Sequence, residues 1–263
     1  MLDTPLDALI ATRREGDIAI VTLNRPAKLN SLTPAMLDEL EAVARRIDAD
    51  ATLRVVVLTA SGDRAFCVGA DIHEWAGLAP LDMWRRWVKR GHQVFDQWAC
   101  LRQPVIAAIN GPAFGGGLEL AITADIRIAV EPTQFALPEA GIATCPGWSG
   151  TQRLVALIGA SRAKYLALSG VRMSAVDALA SGLVHEVVAP GALHQRALQL
   201  ATQMAAQAPI AMQLTKQLIN AAAGEGTAAA LEAMAGALAA HTEDAREGVR
   251  SFKDKRPPVY RGA

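Results

Sequence analysis

The sequence predicts an α/β protein with mainly parallel strands, followed by a helical region. Two patterns predict this fold. Apolar, strand-like segments alternate with amphipathic helical segments as far as about residue 190, an order typical of parallel sheets covered by helices. From about Ala192 to Lys255 the chain is alanine-rich and helical in pattern. A chain of 263 residues, 51% of them hydrophobic, can bury a large core. We expect an α/β core over residues 1–195 and a helical region over residues 196–263.

The first elements are a hairpin and an amphipathic helix. Apolar segments at residues 9–14 and 18–23 flank Glu15-Gly16-Asp17, a combination that predicts a β-hairpin. Thr33 is expected to cap a helix beginning at Pro34, where the missing N–H costs nothing. Apolar residues then recur at helical spacing and predict the buried face: Met36, Leu37, Leu40, Val43, Ala44 and Ile47.

Two buried strands in the middle of the chain each lead into a glycine-containing turn. Residues 53–60 form the first strand and continue into a loop of small residues over 61–72. Residues 105–109 form the second strand, which runs into Gly115-Gly116-Gly117 and then a helix. An amphipathic helix over residues 82–101 connects the two strand–turn units.

The remaining elements follow from turn and cap signals. Short strands are predicted at residues 125–130 and 134–137. A helix is expected to begin after Ser149, because Ser149 and Gln152 have capping-box spacing. The breaks in the helical region are predicted at the residues that interrupt helices most strongly, namely Pro209, Gly224, Gly226 and the pair Pro257-Pro258.

The composition excludes several classes of protein. Acidic and basic residues balance at 26 each, so no global field indicates nucleic acid or an anionic membrane as partner. The three cysteines have no CxxC spacing, which suits a reducing compartment. There is no basic signal-peptide start and no apolar run approaching the roughly 18 residues of a membrane helix. We expect a soluble, cytoplasmic protein.

Two glycine turns and two carboxylates are the candidate chemical groups. Gly115-Gly116-Gly117 and Gly69-Ala70-Asp71 each leave a buried strand, and their N–H groups could bind a phosphate or an oxyanion. Glu119 and Glu139 lie in apolar surroundings and could form an acid–base pair. The alternatives are structural: tight turns for the glycines, a first-turn helix charge for Glu119 and a solvated loop position for Glu139.

Other catalytic motifs fail at specific positions. No Gly-Lys-Ser/Thr follows the glycines, and position 120 is Leu where a dinucleotide fingerprint requires Gly or Ala. The segment from Gly147 to Thr151 lacks the last glycine of a serine-hydrolase elbow, so Ser149 is interpreted as a helix cap. His73-Glu74 begins like a zinc motif, but position 77 is Gly and no metal site follows.

Taken together, five motifs resemble the enoyl-CoA hydratase/isomerase (crotonase) family. They occur in the family's order and spacing: LNRPAKLN at 23–30, FCVGADI at 66–72, NGPAFGGGLEL at 110–120, PEAGIATCPGWSGTQRL at 138–154 and AREGVRSFKDKR at 245–256. The resemblance as a whole covers about residues 8–258. The resemblance implies a crotonase-like spiral of repeated ββα units. It also implies that the C-terminal helical region builds a homotrimer or a dimer of trimers.

The resemblance also implies roles for the candidate groups. By similarity, the backbone N–H groups of Ala70 and Gly116 would hold the thioester oxygen of an acyl-CoA, and Gly117 would let the thioester approach. Glu119 would act as base toward a water molecule and Glu139 would protonate the α-carbon. The implied activity is enoyl-CoA hydration, with coenzyme A as part of the substrate and no separate cofactor.

A further set of positions falls where relatives contact coenzyme A: Lys28, Ala65, Val68, Asp71, Ile72 and Lys255. Lys28 would line the CoA channel and Lys255 would lie near the phosphates. The alternative for both lysines is a solvated surface position. Asp71 is also a plausible helix N-cap, and it could serve in both ways.

Trp148 is the main departure from the family pattern, which commonly has small residues there. It could narrow the acyl pocket, or it could be a core aromatic residue. The presence of both Glu119 and Glu139 favours a hydratase, with Δ3,Δ2-enoyl-CoA isomerase or another acyl-CoA reaction as the alternative. A non-catalytic RNA-binding relative is a third hypothesis, and the neutral charge argues against it.

Overall fold

The computed structural model describes residues 3–5 and 7–263. In chain order the elements are β1 (Ile10–Glu15), β2 (Ile18–Leu23), α1 (Pro34–Ala49), β3 (Val55–Ala60), α2 (Ile72–Trp75), α3 (Pro80–Asp82), a π-helix (Met83–Val88), α4 (Lys89–Ala99), β4 (Val105–Ile109), β5 (Ala113–Phe114), α5 (Gly116–Ala121), β6 (Ile126–Val130), β7 (Gln134–Ala136), α6 (Gly150–Ser169), β8 (Met173–Ser174), α7 (Ala175–Ser181), β9 (Glu186–Val188), α8 (Leu193–Ala205), α9 (Pro209–Ala222), α10 (Thr227–Ala240) and α11 (Glu243–Asp254). Short 3-10 helices occur at Pro26–Lys28, Glu139–Ile142 and Pro190–Ala192.

The chain forms two compact units, the first ending at Gln213 and the second spanning Leu214–Ala263. Helix α8 belongs to the first unit, where its alanines are buried against the sheet. The predicted division at residues 195 and 196, which rests on composition, stays a prediction.

A mainly parallel sheet is the centre of the first unit. Its strand order is β1-β2-β3-β4-β6-β9, and a smaller sheet has the order β5-β7-β8. In the larger sheet β1 and β2 form the predicted antiparallel hairpin, and every other neighbouring pair is parallel. The predicted α/β class and parallel pairing are therefore confirmed.

The larger sheet is covered on both faces, which explains why its inner strands are apolar throughout. In β3, Val56 and Leu58 join the core cluster that includes the buried face of α1. Val55 and Val57 point to the opposite face and join a second cluster with α8. The two-residue period of a strand sends alternate side chains to these two clusters.

Helix α1 confirms the sequence prediction in detail. Thr33 Oγ1 accepts a hydrogen bond from the Met36 N–H at 3.2 Å, and Pro34 occupies the first helical position. All six predicted apolar residues of this helix are buried.

The predicted helix over residues 82–101 is wrong in its bounds and its regularity. Helical structure runs from Pro80 to Ala99, and Met83–Val88 is a π-helix in which the Lys89 N–H donates to the Trp84 carbonyl five residues earlier. A π-helical turn contains an extra residue and re-aims the side chains that follow. Here the turn carries Trp87 and Val88, which line the cavity described below.

The second unit is helical, as predicted. Gly224 and Gly226 adopt positive φ between α9 and α10, and α11 begins at a Thr242 cap. Helix α11 ends at Asp254, before Pro257. Within the described residues, no helix is long and apolar enough to cross a membrane.

Candidate active site

The two predicted glycine turns lie side by side at the carboxyl ends of β3 and β4. Those strands are paired, so the loops that leave them begin as neighbours. The Phe114 N–H donates to the Cys67 carbonyl at 3.0 Å and joins the two loops directly. A Cβ on Gly117 would lie 2.1 Å from that same carbonyl oxygen, so only glycine fits. Gly117 thus sets the spacing of the loops rather than lining the cavity.

The backbone N–H groups of Ala70 and Gly116 converge across this junction. A Cβ on Gly116 would lie 3.5 Å from the Ala70 nitrogen, and a Cβ on Gly69 would lie 3.3 Å from the Gly116 nitrogen. Gly69 has a φ of +104°, which turns the chain so that the next amide faces the glycine turn. In the described part of the chain, neither of these two N–H groups donates a hydrogen bond to another protein group. They form a pair of donors suited to an oxyanion.

A cavity of about 240 Å³ opens beside these amides. It is lined by the two predicted glutamates, by Ala70 and Gly116, and by a largely apolar wall. The wall residues include Val68, Ile72, Trp75, Met83, Trp87, Val88, Ile142, Thr144, Cys145 and Trp148. Among the described lining residues none is basic.

Glu119 lies inside α5 and is only 2% exposed. Its Oε1 accepts hydrogen bonds from the backbone N–H groups of Trp148 and Gly150, each at 2.9 Å. Burial raises the pKa of Glu119, and the two amides oppose that rise because they favour the ionised carboxylate. Glu119 is therefore a buried carboxyl that lines the cavity, and it also lies in the first turn of α5.

Glu139 begins a 3-10 helix and is 9% exposed, so the interpretation as a solvated loop residue is wrong. Its Oε2 has no hydrogen-bond partner among the residues that the structure describes. Burial raises the pKa of Glu139 to about 7, and the nearby charge of Glu119 contributes to the rise. The two carboxyl groups therefore differ: one is held by amides and the other has an unpartnered oxygen.

Trp148 is a core aromatic residue whose ring also lines the cavity, and its effect on the acyl group stays a prediction. It is 3% exposed, and its ring contacts Trp87 and Phe95 at centroid separations of 5.3 Å and 5.2 Å. The same ring lines the cavity, and a Cβ on Gly116 would lie 2.8 Å from it. Trp148 is a core residue that also forms a wall of the site.

The predicted capping box at Ser149 is wrong. Ser149 occupies the N-cap position of α6, but its side chain accepts no helix N–H. Its φ of 73° is left-handed, whereas a capping serine normally has an extended backbone. The hydroxyl instead contacts His92 and Asp96 of α4.

Asp71 has a structural role that the sequence partly indicated. Its side chain caps α2 by accepting from the His73 N–H at 3.1 Å. It also accepts a hydrogen bond from Arg25 at 2.6 Å, and this bond lowers the pKa of Asp71. Arg25 lies in a motif that the sequence analysis identified without a role for this side chain. The sequence carried no local signal for this pair, because Arg25 and Asp71 are 46 residues apart.

The remaining predicted binding residues are dispersed. Val68 and Ile72 line the cavity, whereas Ala65 is buried outside its lining. Lys28 is exposed on a 3-10 helix, and Lys255 is exposed in the second unit. Their contacts with coenzyme A stay predictions. Within the described ranges no group of His, Cys, Asp or Glu side chains could hold a metal ion.

Comparison with known proteins identifies the family. A model of the enoyl-CoA hydratase/isomerase family matches residues 13–263. The chain is 39% identical over 249 residues to the short-chain-enoyl-CoA hydratase of Clostridium acetobutylicum, covering 94% of this chain and 95% of the relative. It is 36% identical over 263 residues to the 2,3-dehydroadipyl-CoA hydratase of Escherichia coli, covering 98% and 100%. The crystal structure of an enoyl-CoA hydratase from Bacillus anthracis superposes with a TM-score of 0.79 at 40% identity, covering 97% of this chain and 99% of that one. The chain belongs to the enoyl-CoA hydratase/isomerase family.

Proposed function

We propose that this enzyme hydrates trans-2-enoyl-CoA thioesters by reversible syn addition of water across the double bond. The observation that carries the proposal is the pairing, in one cavity, of two free N–H donors with two unlike carboxyl groups. The hydratase names of the relatives above support the same reaction class.

The amides of Ala70 and Gly116 would stabilise the negative charge that develops during the reaction. When hydroxide adds to the β-carbon, the electron pair of the double bond moves onto the thioester oxygen and forms an enolate. Two preorganised donors at that oxygen favour this state over the substrate. Each donor of this kind is worth about 3–4 kcal/mol in a water-excluded site.

Glu119 and Glu139 would divide the proton transfers between them. Glu119 would accept a proton from water as the oxygen attacks, with its carboxyl group held in place by the amides of Trp148 and Gly150. Glu139, with a pKa of about 7, is protonated in about half of the molecules at neutral pH, and this form can give its proton to the α-carbon. The enolate then collapses to the saturated 3-hydroxyacyl thioester.

The cavity favours a short, uncharged acyl group. Its volume of about 240 Å³ lies below the roughly 300–1,000 Å³ typical of sites for drug-sized ligands. Its described lining contains no basic side chain to pair with a distal carboxylate. We therefore favour a substrate like that named for the short-chain relative over the dicarboxylic type named for the Escherichia coli relative.

Coenzyme A would extend from this cavity past the other predicted binding positions. Val68 and Ile72 would contact the pantetheine, and Lys28 would line the CoA channel. A role for Lys255 near the phosphates rests on the family resemblance alone. Assembly as a homotrimer or dimer of trimers and a cytoplasmic location are also parts of the proposal, and they rest on the family resemblance.

The test follows loss of the enoyl-thioester absorbance with a series of trans-2-enoyl-CoAs. Wild type should hydrate the short members, and Glu119→Gln and Glu139→Gln should each lower kcat by about 10²–10⁴-fold with little change in substrate binding. Glu131→Gln, at an exposed carboxyl outside the cavity, is the matched control and should keep full activity. A wild type that hydrates none of the series, or glutamine variants at full rate, would contradict the proposal.

Isomerisation of 3-enoyl-CoA to 2-enoyl-CoA is the second candidate. Glu139 has an unpartnered oxygen in the cavity and could move a proton between the α and γ carbons without water. Adding 3-enoyl-CoA to the same assay distinguishes the two reactions. Isomerase activity that survives Glu119→Gln would favour this second candidate.

A further inference from the structure

The turn that holds Glu119 contains a residue in an uncommon backbone conformation. Ser149 has φ 73° and ψ 8°, the left-handed region that non-glycine residues adopt infrequently. Such a conformation persists only when surrounding contacts hold it. The residues on either side of Ser149 supply the two N–H donors to Glu119.

A cluster of polar side chains outside the cavity holds Ser149. Its Oγ lies 2.9 Å from His92 Nδ1, and its hydroxyl donates to Asp96 Oδ1 at 3.1 Å. His92 Nε2 also lies 3.1 Å from Asp96 Oδ2, one turn along α4. Arg153, which is 5% exposed, donates to Asp96 Oδ1 at 2.7 Å. The hydroxyl is therefore held by two groups of α4, and one of these, Asp96, is itself paired with Arg153 of α6.

The geometry of the turn transmits this constraint to Glu119. A left-handed residue between two amides aims both N–H groups into one concave surface, which suits a carboxylate. A Cβ on Gly150 would lie 2.4 Å from Glu119 Cγ, so the turn and the glutamate are in close contact. A rotation at Ser149 would move both amides away from Oε1.

We propose that Ser149, held by His92 and Asp96, is a positioning residue for Glu119. The hydroxyl fixes the left-handed turn whose flanking amides orient the carboxylate toward the cavity. Ser149 is 5% exposed and is absent from the described cavity lining, so it acts through Glu119 and not on substrate. This role in catalysis rests on the proposed hydratase function.

Ser149→Ala and Ser149→Gly separate the hydroxyl from the backbone conformation. Alanine loses the hydroxyl that holds the turn, and a positive φ is unfavourable for alanine, so the turn should relax and kcat should fall about tenfold or more while KM changes less than twofold. Glycine adopts the same φ without strain and should retain more activity than alanine. Ser161→Ala, at an exposed serine of α6, should match wild type.

His92 provides a second test of the same cluster. His92→Ala removes one partner of the hydroxyl and should lower kcat in the same direction as Ser149→Ala. His92→Asn keeps a polar nitrogen near the position of Nδ1 and should restore part of the loss. Full activity in His92→Ala would overturn the part assigned to this residue.

A double-mutant cycle distinguishes positioning from a general structural effect. If Ser149 acts through Glu119, Ser149→Ala should lower the residual rate of Glu119→Gln less than twofold. An equal fractional loss in both backgrounds, or wild-type kcat in Ser149→Ala, would overturn the inference.

A measurement without substrate keeps the inference separate from the proposed function. Amide hydrogen exchange at Trp148 and Gly150 should be faster in Ser149→Ala than in wild type, since both N–H groups lose their carboxylate acceptor. Unchanged exchange at these two amides would refute the positioning role of Ser149, even in an active enzyme. A wild type without hydratase activity would refute the proposed function. The exchange rates would still decide whether the Ser149 hydroxyl holds the turn at Glu119.

Discussion

Glu139→Gln should become more stable, relative to wild type, as pH rises from 5 to 8. Burial raises the pKa of this carboxyl to about 7 from an ordinary value of 4.5. Between those two values the folded state keeps a proton that the unfolded state has lost. The contribution of Glu139 to the free energy of unfolding therefore falls as pH rises from 4.5 to 7. Above pH 7 the folded state carries the full cost of ionising this buried group.

The magnitude follows from the size of the pKa difference. Each unit corresponds to about 1.4 kcal/mol, so the cost is on the order of 3 kcal/mol at pH 8 and below about 1 kcal/mol at pH 5. Glutamine removes this cost but places an amide where Glu139 Oε2 has no partner, which costs about 1–3 kcal/mol at either pH. The unpartnered amide cancels in the comparison of the two pH values. The effect of the substitution should therefore shift by about 2–3 kcal/mol in favour of the variant between pH 5 and pH 8.

Urea unfolding at pH 5 and pH 8 measures this shift. Wild type is compared with Glu139→Gln and with the exposed control Glu131→Gln. Each variant differs from wild type in a single titrating group. The control should show no pH-dependent difference from wild type. If Glu139→Gln differs from wild type by the same free energy at both pH values, Glu139 is not a buried carboxyl with a raised pKa. The assigned role as acid would then lose its basis.

Three further predictions follow from the site. The kcat/KM for hydration should fall as pH rises through about 7, because Glu139 of the free enzyme then loses the proton that it gives to the α-carbon. Gly117→Ala should destabilise the protein by about 1–3 kcal/mol and lower kcat/KM, since the added Cβ would push the two glycine turns apart. Trp148→Phe should enlarge the cavity and raise the kcat/KM of octenoyl-CoA relative to crotonyl-CoA by about tenfold, the order that one or two methylene contacts are worth.

Matched variants separate these effects from general damage. Gly191→Ala, where an added Cβ meets nothing within 4 Å, should leave thermal unfolding and turnover unchanged. Trp84→Phe changes a tryptophan that is 64% exposed and outside the described cavity lining, and it should leave chain-length preference unchanged. A constant kcat/KM from pH 6 to 9 would contradict the acid role. Wild-type behaviour of Gly117→Ala or Trp148→Phe would contradict the geometry of the site.

Local sequence patterns were sufficient for much of the fold. The turn at Gly16, the Thr33 cap and the apolar period of α1 each depend on residues within a few positions of one another, and each was confirmed. The alternation of strands and helices along the chain predicted parallel pairing. The motif around Gly116 was also visible, because a strand, a glycine turn and a helix follow directly along the chain.

Short-range signals also missed several elements. The strands β5, β8 and β9 are each two or three residues long and exist through pairing with distant segments, so the sequence carried little local signal for them. The π-helix likewise interrupts an amphipathic pattern that, taken alone, indicated a regular helix over residues 82–101.

The sequence by itself therefore determined which residues could form a site: two glycine turns and two glutamates in apolar segments. The tertiary structure decided how those residues differ. Contacts across tens of residues bury Glu139, supply two amides to Glu119 and direct the Ser149 hydroxyl to α4 instead of to its own helix. Burial and hydrogen-bond partners depend on the packing of segments far apart in the chain, and the spacing of neighbouring residues does not encode them.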